Sequence, residues 1–237
     1  MALCPIRTHS KITNIYLLTD TRRPATIFLG VFQLDYRDYQ KARDASWRIL
    51  LDCKIDRLPV DLNAVCRKLK IRLFSYTAAA DIIERAHMAD ATRRTDGLTF
   101  YMRGTPVILY NGAVLPQRVS FTVAHELGHI VLAHVKPGSV TIANREPHPG
   151  DSPEETAANQ FAARLLAPAC VLWAMNIHTP EEIMNLCQIS RAAAEFRARR
   201  MADLYRRGQF LTSPLEQAVY QQFRPFIAEA LNPPPGE

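Results

Sequence analysis

Two histidines four residues apart constrain this chain more than any other feature. The run Phe121-Thr122-Val123-Ala124-His125-Glu126-Leu127-Gly128-His129 contains the pattern His-Glu-x-x-His. On a helix, His125 and His129 project from one face into one volume and can chelate a single metal ion. Glu126, one residue on from a ligand, is close enough to hold a water at such a metal while turned away from the ligand position. That placement suits a general base in metal-assisted hydrolysis. Phe121, Ala124, Leu127, Val131 and Ala133 or Val135 recur near helical spacing. A buried helix is therefore expected, ended by Pro137 and Gly138, with the two histidines in its middle. The bland alternative is a pair of core histidines, each satisfied by an ordinary hydrogen-bond partner.

A helix of this kind must be enclosed, and 237 residues with 48% hydrophobic content supply one large domain, or one domain with an appendage. No stretch reads as a membrane helix. Ala25 to Phe32, broken by Thr26 and Gly30, is short and lies too far from Met1 for a signal peptide. Cys4, Cys53, Cys66, Cys170 and Cys187 are odd in number, scattered and without a Cys-x-x-Cys pair. Buried free thiols in the reducing cytoplasm are expected, in place of a disulfide framework or a cysteine zinc site. The net charge of +6 is modest for this length and spread along the chain. Its densest run, Arg191, Arg197, Arg199, Arg200, Arg206 and Arg207, is interleaved with Glu195 and Asp203 and does not line up on one helical face. A solvated, salt-bridged helix is expected there, and direct nucleic-acid binding is not favoured.

The pattern along the chain is α+β. Residues 1–34 show no sustained period and read as a peripheral arm. Asp38 to about Ile55, with Ala42, Ala45, Ile49 and Cys53 at helical intervals, and Asp61 to Lys70 after Pro59, read as two helices. Ile71 to Tyr76 alternates as a strand and Ala78 to Met88 returns to helix. Leu98 to Met102 and Val107 to Tyr110 flank Arg103-Gly104-Thr105-Pro106 as a hairpin. A small mixed sheet packed beside helices is implied over residues 35–168, followed by a helical region over residues 169–237. Within that region, Thr179 to Cys187, a break at Gln188-Ile189 and Ser190 to Arg207 have the cadence of helix, turn, helix, with no glycine marking the turn. A pair that packs against the core is the favoured reading over one that recognises a repressor or DNA. Ser213 to Asn232 forms a last helix before a tail with Pro233 to Pro235.

A catalytic zinc usually has three protein ligands, so a third donor is needed. Ser152 to Pro168 supplies a helix with Ser152 as cap, Pro153 in the first turn and Pro168 as terminator. On it Glu155 and Asn159 are four apart and share a face. Glu155 can offer a carboxylate oxygen to the metal while Asn159 accepts the spare N–H of a ligand histidine. Two alternatives stand beside this. Ser152-x-x-Glu155 is also a capping box, in which Glu155 merely reaches back to the Ser152 amide, and Glu154 competes as the ligand. Asn159 favours Glu155, because a mid-helix Asn has poor propensity and needs a reason to be there.

The pairing of Arg118-x-x-Phe121-Thr122-x-Ala124-His125-Glu126-Leu127-Gly128-His129 with Glu155-x-x-Ala158-Asn159-x-Phe161-Ala162-x-x-Leu165-Leu166-x-Pro168 resembles the ImmA/IrrE family of metallopeptidases. The resemblance covers about Tyr39 to Pro168, with Leu58-Pro59-Val60-Asp61-Leu62 leading into the second helix, and continues more loosely to about Phe226. It implies a zincin-like fold, with His125, His129 and Glu155 as zinc ligands and Glu126 as the catalytic base. The expected chemistry is hydrolysis of a peptide bond by a zinc-activated water, Glu126 taking the proton and handing it to the leaving amine. Some members of the family cleave a DNA-binding repressor of mobile-element or stress genes, so a helix-turn-helix repressor is the expected partner and the cytoplasm the expected place. Tyr110, Arg118, His134 and His148 are unranked choices for steadying the oxyanion, with His134 placed at the helix end away from the metal. Substrate is expected along Val107 to Tyr110 as an added strand, provided that strand is a sheet edge. The rival reading is a non-catalytic module whose zinc is structural and whose C-terminal helices hold a repressor or DNA.

Overall fold

The computed structural model describes residues 36–136, 140–142 and 152–232. The expected N-terminal arm, Cys4, the Pro137-Gly138 stop, His148 and the proline-rich tail lie outside the described residues. Helix α1 (Tyr36–Asp52) buries Tyr39, Ala42, Ser46, Ile49 and Leu50 along one stripe. Helix α2 (Leu62–Lys68) starts where Asp61 Oδ1 accepts the Ala64 N–H at 3.0 Å, and buries Leu62, Val65 and Cys66. Two helices thus precede the first strand, as the spacing implied.

The sheet has four strands: β1 (Arg72–Ser75), β2 (Gly97–Met102), β3 (Thr105–Tyr110) and β4 (Val140–Ile142), in the order β1-β3-β2-β4. β1 runs parallel to β3, while β2 is antiparallel to both β3 and β4. The fold is therefore α+β with a small mixed sheet. The expected substrate strand is corrected by this order: β3 lies inside the sheet, with one side hydrogen-bonded to β1 and the other to β2. The hairpin is also tighter than expected. Arg103 (φ 51°) and Gly104 (φ 77°) alone make the turn, and Thr105 and Pro106 pair with Met102 and Tyr101. Two consecutive positive φ values twist the chain in the sense that adjacent strands need. Pro106 precedes the first β1 partner, Val107, so its missing N–H costs the parallel ladder nothing.

The helical stretch expected over Ala78 to Met88 ends early, giving α3 (Ala80–Arg85) and α4 (Ala89–Arg94). His87 turns left-handed (φ 53°) and the Met88 N–H closes on the Ile83 carbonyl at 2.9 Å, which brings Met88 back under the sheet. Ala79, Ile83 and Met88 pack there against Leu98, Phe100, Val107 and Leu109. The pleat sends the alternate residues, Thr99 and Ile108, to the opposite face. That face is covered by α5 (Pro116–Val131), on which α6 (Pro153–Leu166) packs, and α1 lies against α6.

Helices α7 (Ala169–Ala174), α8 (Pro180–Cys187), α9 (Arg191–Arg207) and α10 (Pro214–Leu231) follow. One apolar cluster joins Ala42 and Leu50 of α1 to Leu127, Phe161, Ile183, Met201 and Phe223. Gln222 of α10 donates to the carbonyls of Leu50 at 2.8 Å and Ile55 at 2.6 Å, covering the open end of α1. The turn between α8 and α9 is made by Gln188 in the left-handed conformation (φ 52°), where a glycine would have been the readable signal.

The arginines of α9 divide. Arg191 bridges Glu181 at 2.7 Å and Arg206 bridges Asp203, as a solvated helix would. Arg197, by contrast, is buried, and Arg200 lies over the Tyr39 ring at 5.4 Å. The six arginines do not share one face, as the spacing implied, but at about 100° per residue Arg197, Arg200 and Arg207 fall within an arc of about 80° while Arg191, Arg199 and Arg206 lie outside it. Cys53, Cys66, Cys170 and Cys187 are free and buried, and burial pushes the thiols of Cys66, Cys170 and Cys187 up to about 12. No helix among the described residues is long and apolar enough to cross a membrane.

Candidate active site

Pro116 opens α5 at a position where its missing N–H costs nothing, and Val123 to His129 are all buried. The helix ends sooner than Pro137 would have ended it. Ala133 takes a left-handed φ of 59°, its N–H meets the Ile130 carbonyl at 3.1 Å, and the His134 N–H meets the His129 carbonyl at 2.9 Å. These two bonds form a Schellman closure with alanine in the usual glycine place. His129 consequently sits in the last turn of α5, not its middle, and His134 folds back until the two ring centroids are 5.1 Å apart.

Three donors converge on one point. His125 Nε2 and His129 Nε2 lie 3.0 Å apart; Glu155 Oε2 is 3.2 Å from the first and Glu155 Oε1 3.3 Å from the second. Bonds of about 2.0–2.1 Å at tetrahedral angles would hold two donor atoms about 3.3–3.4 Å apart, so this spacing fits a small divalent cation. Two imidazole nitrogens and a carboxylate are also a donor set such a cation takes. His125, His129 and Glu155 could therefore hold a metal ion.

The outer nitrogens are occupied. His125 Nδ1 lies 2.8 Å from Asn159 Oδ1, and since an amide oxygen only accepts, Nδ1 carries the proton and Nε2 keeps its lone pair for the metal side. His129 Nδ1 is 3.2 Å from His134 Nδ1, which places His134 behind a ligand and away from the convergence point. The choice between the two glutamates is visible as well. Ser152 Oγ accepts the Glu155 N–H at 3.3 Å, but the Glu155 carboxylate turns to the histidines instead of reaching back, and Glu154 is exposed. Burial acts to raise the Glu155 carboxyl, yet its hydrogen bonds and charge contacts with His125 and His129 outweigh this and hold it at about 2. Burial likewise acts to lower His125, and Glu155 and Glu126 together raise it above the ordinary imidazole value.

Glu126 is fully buried. Its Oε2 accepts a short hydrogen bond from Thr99 Oγ1 on β2, while Oε1 has no hydrogen-bond partner among the described residues. A buried unsatisfied oxygen costs about 1–3 kcal/mol, a cost that a proton-transfer group can justify. Burial is the largest influence on this carboxyl and, against the lowering effect of His125, Thr99 and His129, leaves it raised. Space for the side chain comes from Gly97, where a Cβ would sit 2.8 Å from Glu126 Oε1 and 2.6 Å from Thr122 Cγ2. Gly128 does the same between helices: a Cβ there would meet Phe161 Cδ1 at 3.0 Å and the Ala158 Cα at 3.2 Å. The lack of that carbon lets α5 and α6 close until Glu155 reaches the histidines.

The other sequence-derived residues are not gathered here. Arg118 Nε donates to Asp96 Oδ2 at 2.5 Å, tying the start of α5 to the start of β2. Tyr110 ends β3, half-buried, with its carbonyl accepting the Tyr76 N–H at 2.8 Å. His148 lies outside the described residues. Thr99 and Gly97 were missed by the sequence reading. Their signal was faint: two small residues, two apart, in the otherwise apolar run Gly97-Leu98-Thr99-Phe100, hence on one face of a strand.

A family model described as the IrrE N-terminal-like domain, Peptidase_M78, matches residues 81–206, just over half of the chain and from α3 into the last turn of α9. No curated protein matches the chain.

Proposed function

This chain belongs to the Peptidase_M78 family, with its IrrE N-terminal-like domain, and on that footing we propose that it is a zinc-dependent endopeptidase acting on a protein substrate. The observation that carries this reading is Glu126 Oε1, buried and without a partner among the described residues, on the residue next to His125 of the three-donor set. A site that held a metal only for structure would have no use for such a group. Zinc is favoured by the ligand types, two imidazoles and one carboxylate.

A zinc ion held by His125, His129 and Glu155 supplies Lewis-acid chemistry, acidifying a water and polarising the scissile carbonyl. The chain's own residues do the rest. Asn159 fixes the His125 tautomer, and Thr99 pins Oε2 of Glu126 so that Oε1 is the free basic atom. Glu126 accepts the proton of the attacking water at Oε1, a half-step that its raised pKa favours, and then returns it to the leaving amine. An extended substrate would pair with β4, whose one partner among the described residues is β2, the strand that carries Thr99. The substrate class we assign is a helix-turn-helix repressor of a mobile element or stress regulon, on the resemblance to family members that cleave such proteins. Buried free thiols support a cytoplasmic setting.

Glu126→Gln is the test. The variant should retain its metal and lose peptide hydrolysis by at least about 100-fold. A co-encoded repressor left equally intact by variant and wild type would favour the non-catalytic module, and equal cleavage by both would remove Glu126 as the base.

A further inference from the structure

None of the residues lining a second cavity, of about 140 Å³, belongs to the metal site. It opens where α1, α6, α9 and α10 meet, and Arg164, Arg197, Arg200 and Arg207 line it. Arg164 and Arg197 are only 4% and 3% exposed. Their contacts are to neutral groups. Arg164 Nη1 donates to the Gln160 carbonyl at 2.8 Å and its guanidinium lies 4.4 Å from the Tyr39 ring centre, while Arg197 Nε donates to the Ala167 carbonyl at 2.7 Å. Such contacts satisfy N–H groups without cancelling charge. Arg43, also on the lining, is already paired with Asp44.

Among the described residues no carboxylate lies in ion-pair reach of these four arginines. Glu216, the single acid on the lining, spends an oxygen on the Thr212 N–H at 3.2 Å, and burial raises its pKa despite Arg43 and Arg197. Burial also raises the Tyr39 phenol, but the charges of Arg164 and Arg200 outweigh it and leave it lowered. Like charges held around a void without a counter-charge are costly, and a bound anion would remove that cost. Arginine forks match the geometry of tetrahedral oxyanions.

We propose that this pocket binds a small phosphate-class anion, with α6 and α9 supplying the guanidinium donors. Size sets the class. At about 140 Å³ the cavity is well below the roughly 300 Å³ at which pockets for drug-sized ligands begin, which suits a small anion. The burial of Arg164 and Arg197 keeps a duplex backbone from reaching them.

The whole chain is titrated calorimetrically with inorganic phosphate, pyrophosphate and a nucleoside monophosphate at constant ionic strength, alongside thermal unfolding. Saturable one-to-one binding of at least one of them is expected, with a rise in Tm and at least a tenfold loss of affinity in Arg200→Gln. Preference for the inorganic anions identifies a free ion as the ligand, and preference for the nucleotide a phosphoryl group carried on a larger molecule; either supports the proposal. Should Arg200→Gln fail to fold, Arg207→Gln, at an exposed position, takes its place. No saturable binding, or binding unchanged in the folded variant, overturns the proposal. So does tighter binding of duplex DNA that displaces the small anions. None of these readouts depends on peptide hydrolysis.

Discussion

Thr99 shows how much of the proposed catalytic site can rest on one hydroxyl. Its hydrogen bond favours the charged form of Glu126, against the burial that raises the carboxyl. In Thr99→Val, of nearly the same shape, that support is gone and the Glu126 pKa rises further. A base must be deprotonated to act, so the acid limb of the pH–rate profile moves to higher pH; an unmoved limb would separate Glu126 from the rate. The ligand assignment has an equally local test. Metal content measured after dialysis should collapse in Glu155→Ala and persist in Glu154→Ala, since only Glu155 lies within 3.3 Å of the imidazoles. His125, Glu126 and His129 were legible in the sequence because a single helical turn fixes their relation. Glu155 was legible only as one of two, because which carboxylate turns inward depends on the rotation of α6 about its axis. Thr99 could not be read at all: its partner is 27 residues away, and strand register decides the meeting.

Among the elements, α5 and α6 carry the donors between them, and Gly128 sets how closely they approach. Gly128→Ala inserts a methyl where Phe161 and Ala158 leave 3.0 and 3.2 Å. Overpacking of this kind costs about 1–3 kcal/mol, and here it also parts Glu155 from the histidines. The variant should unfold at a lower temperature and bind metal more weakly, and a metal affinity equal to wild type would show that the approach is slack. The ends of elements were the least legible part of the chain. Ala133, His87 and Gln188 all take left-handed backbone without being glycine, so α5 and α3 stop before any punctuation in the sequence and α8 turns without a glycine to mark it. In α5 the reason lies in the product of the turn, the return of His134 to His129. Strand order was beyond the sequence too, because β3 became interior only once β1 joined it from across the hairpin.

At the scale of the molecule, a metal bound at this site is a cross-link between two helices. A ligand that binds only the folded state adds about 2.7 kcal/mol of stability at a hundredfold excess over its dissociation constant. For a chain of this size that corresponds to a rise in Tm of roughly 5–11 °C. Thermal unfolding with zinc and with chelator should differ by about that amount in wild type and by little in Glu155→Ala; coincident curves in wild type would deny the bridge. α1, α6, α7 and α10 share one apolar cluster, so the strength of the α5–α6 seam is felt throughout it. The same atoms that arm the site thereby govern survival. In a cell, degradation samples whatever fraction of a protein is transiently open. Molecules that lose their ion would join that fraction first and be cleared first, so the standing population would be enriched in loaded copies, and its abundance would follow the supply of the metal.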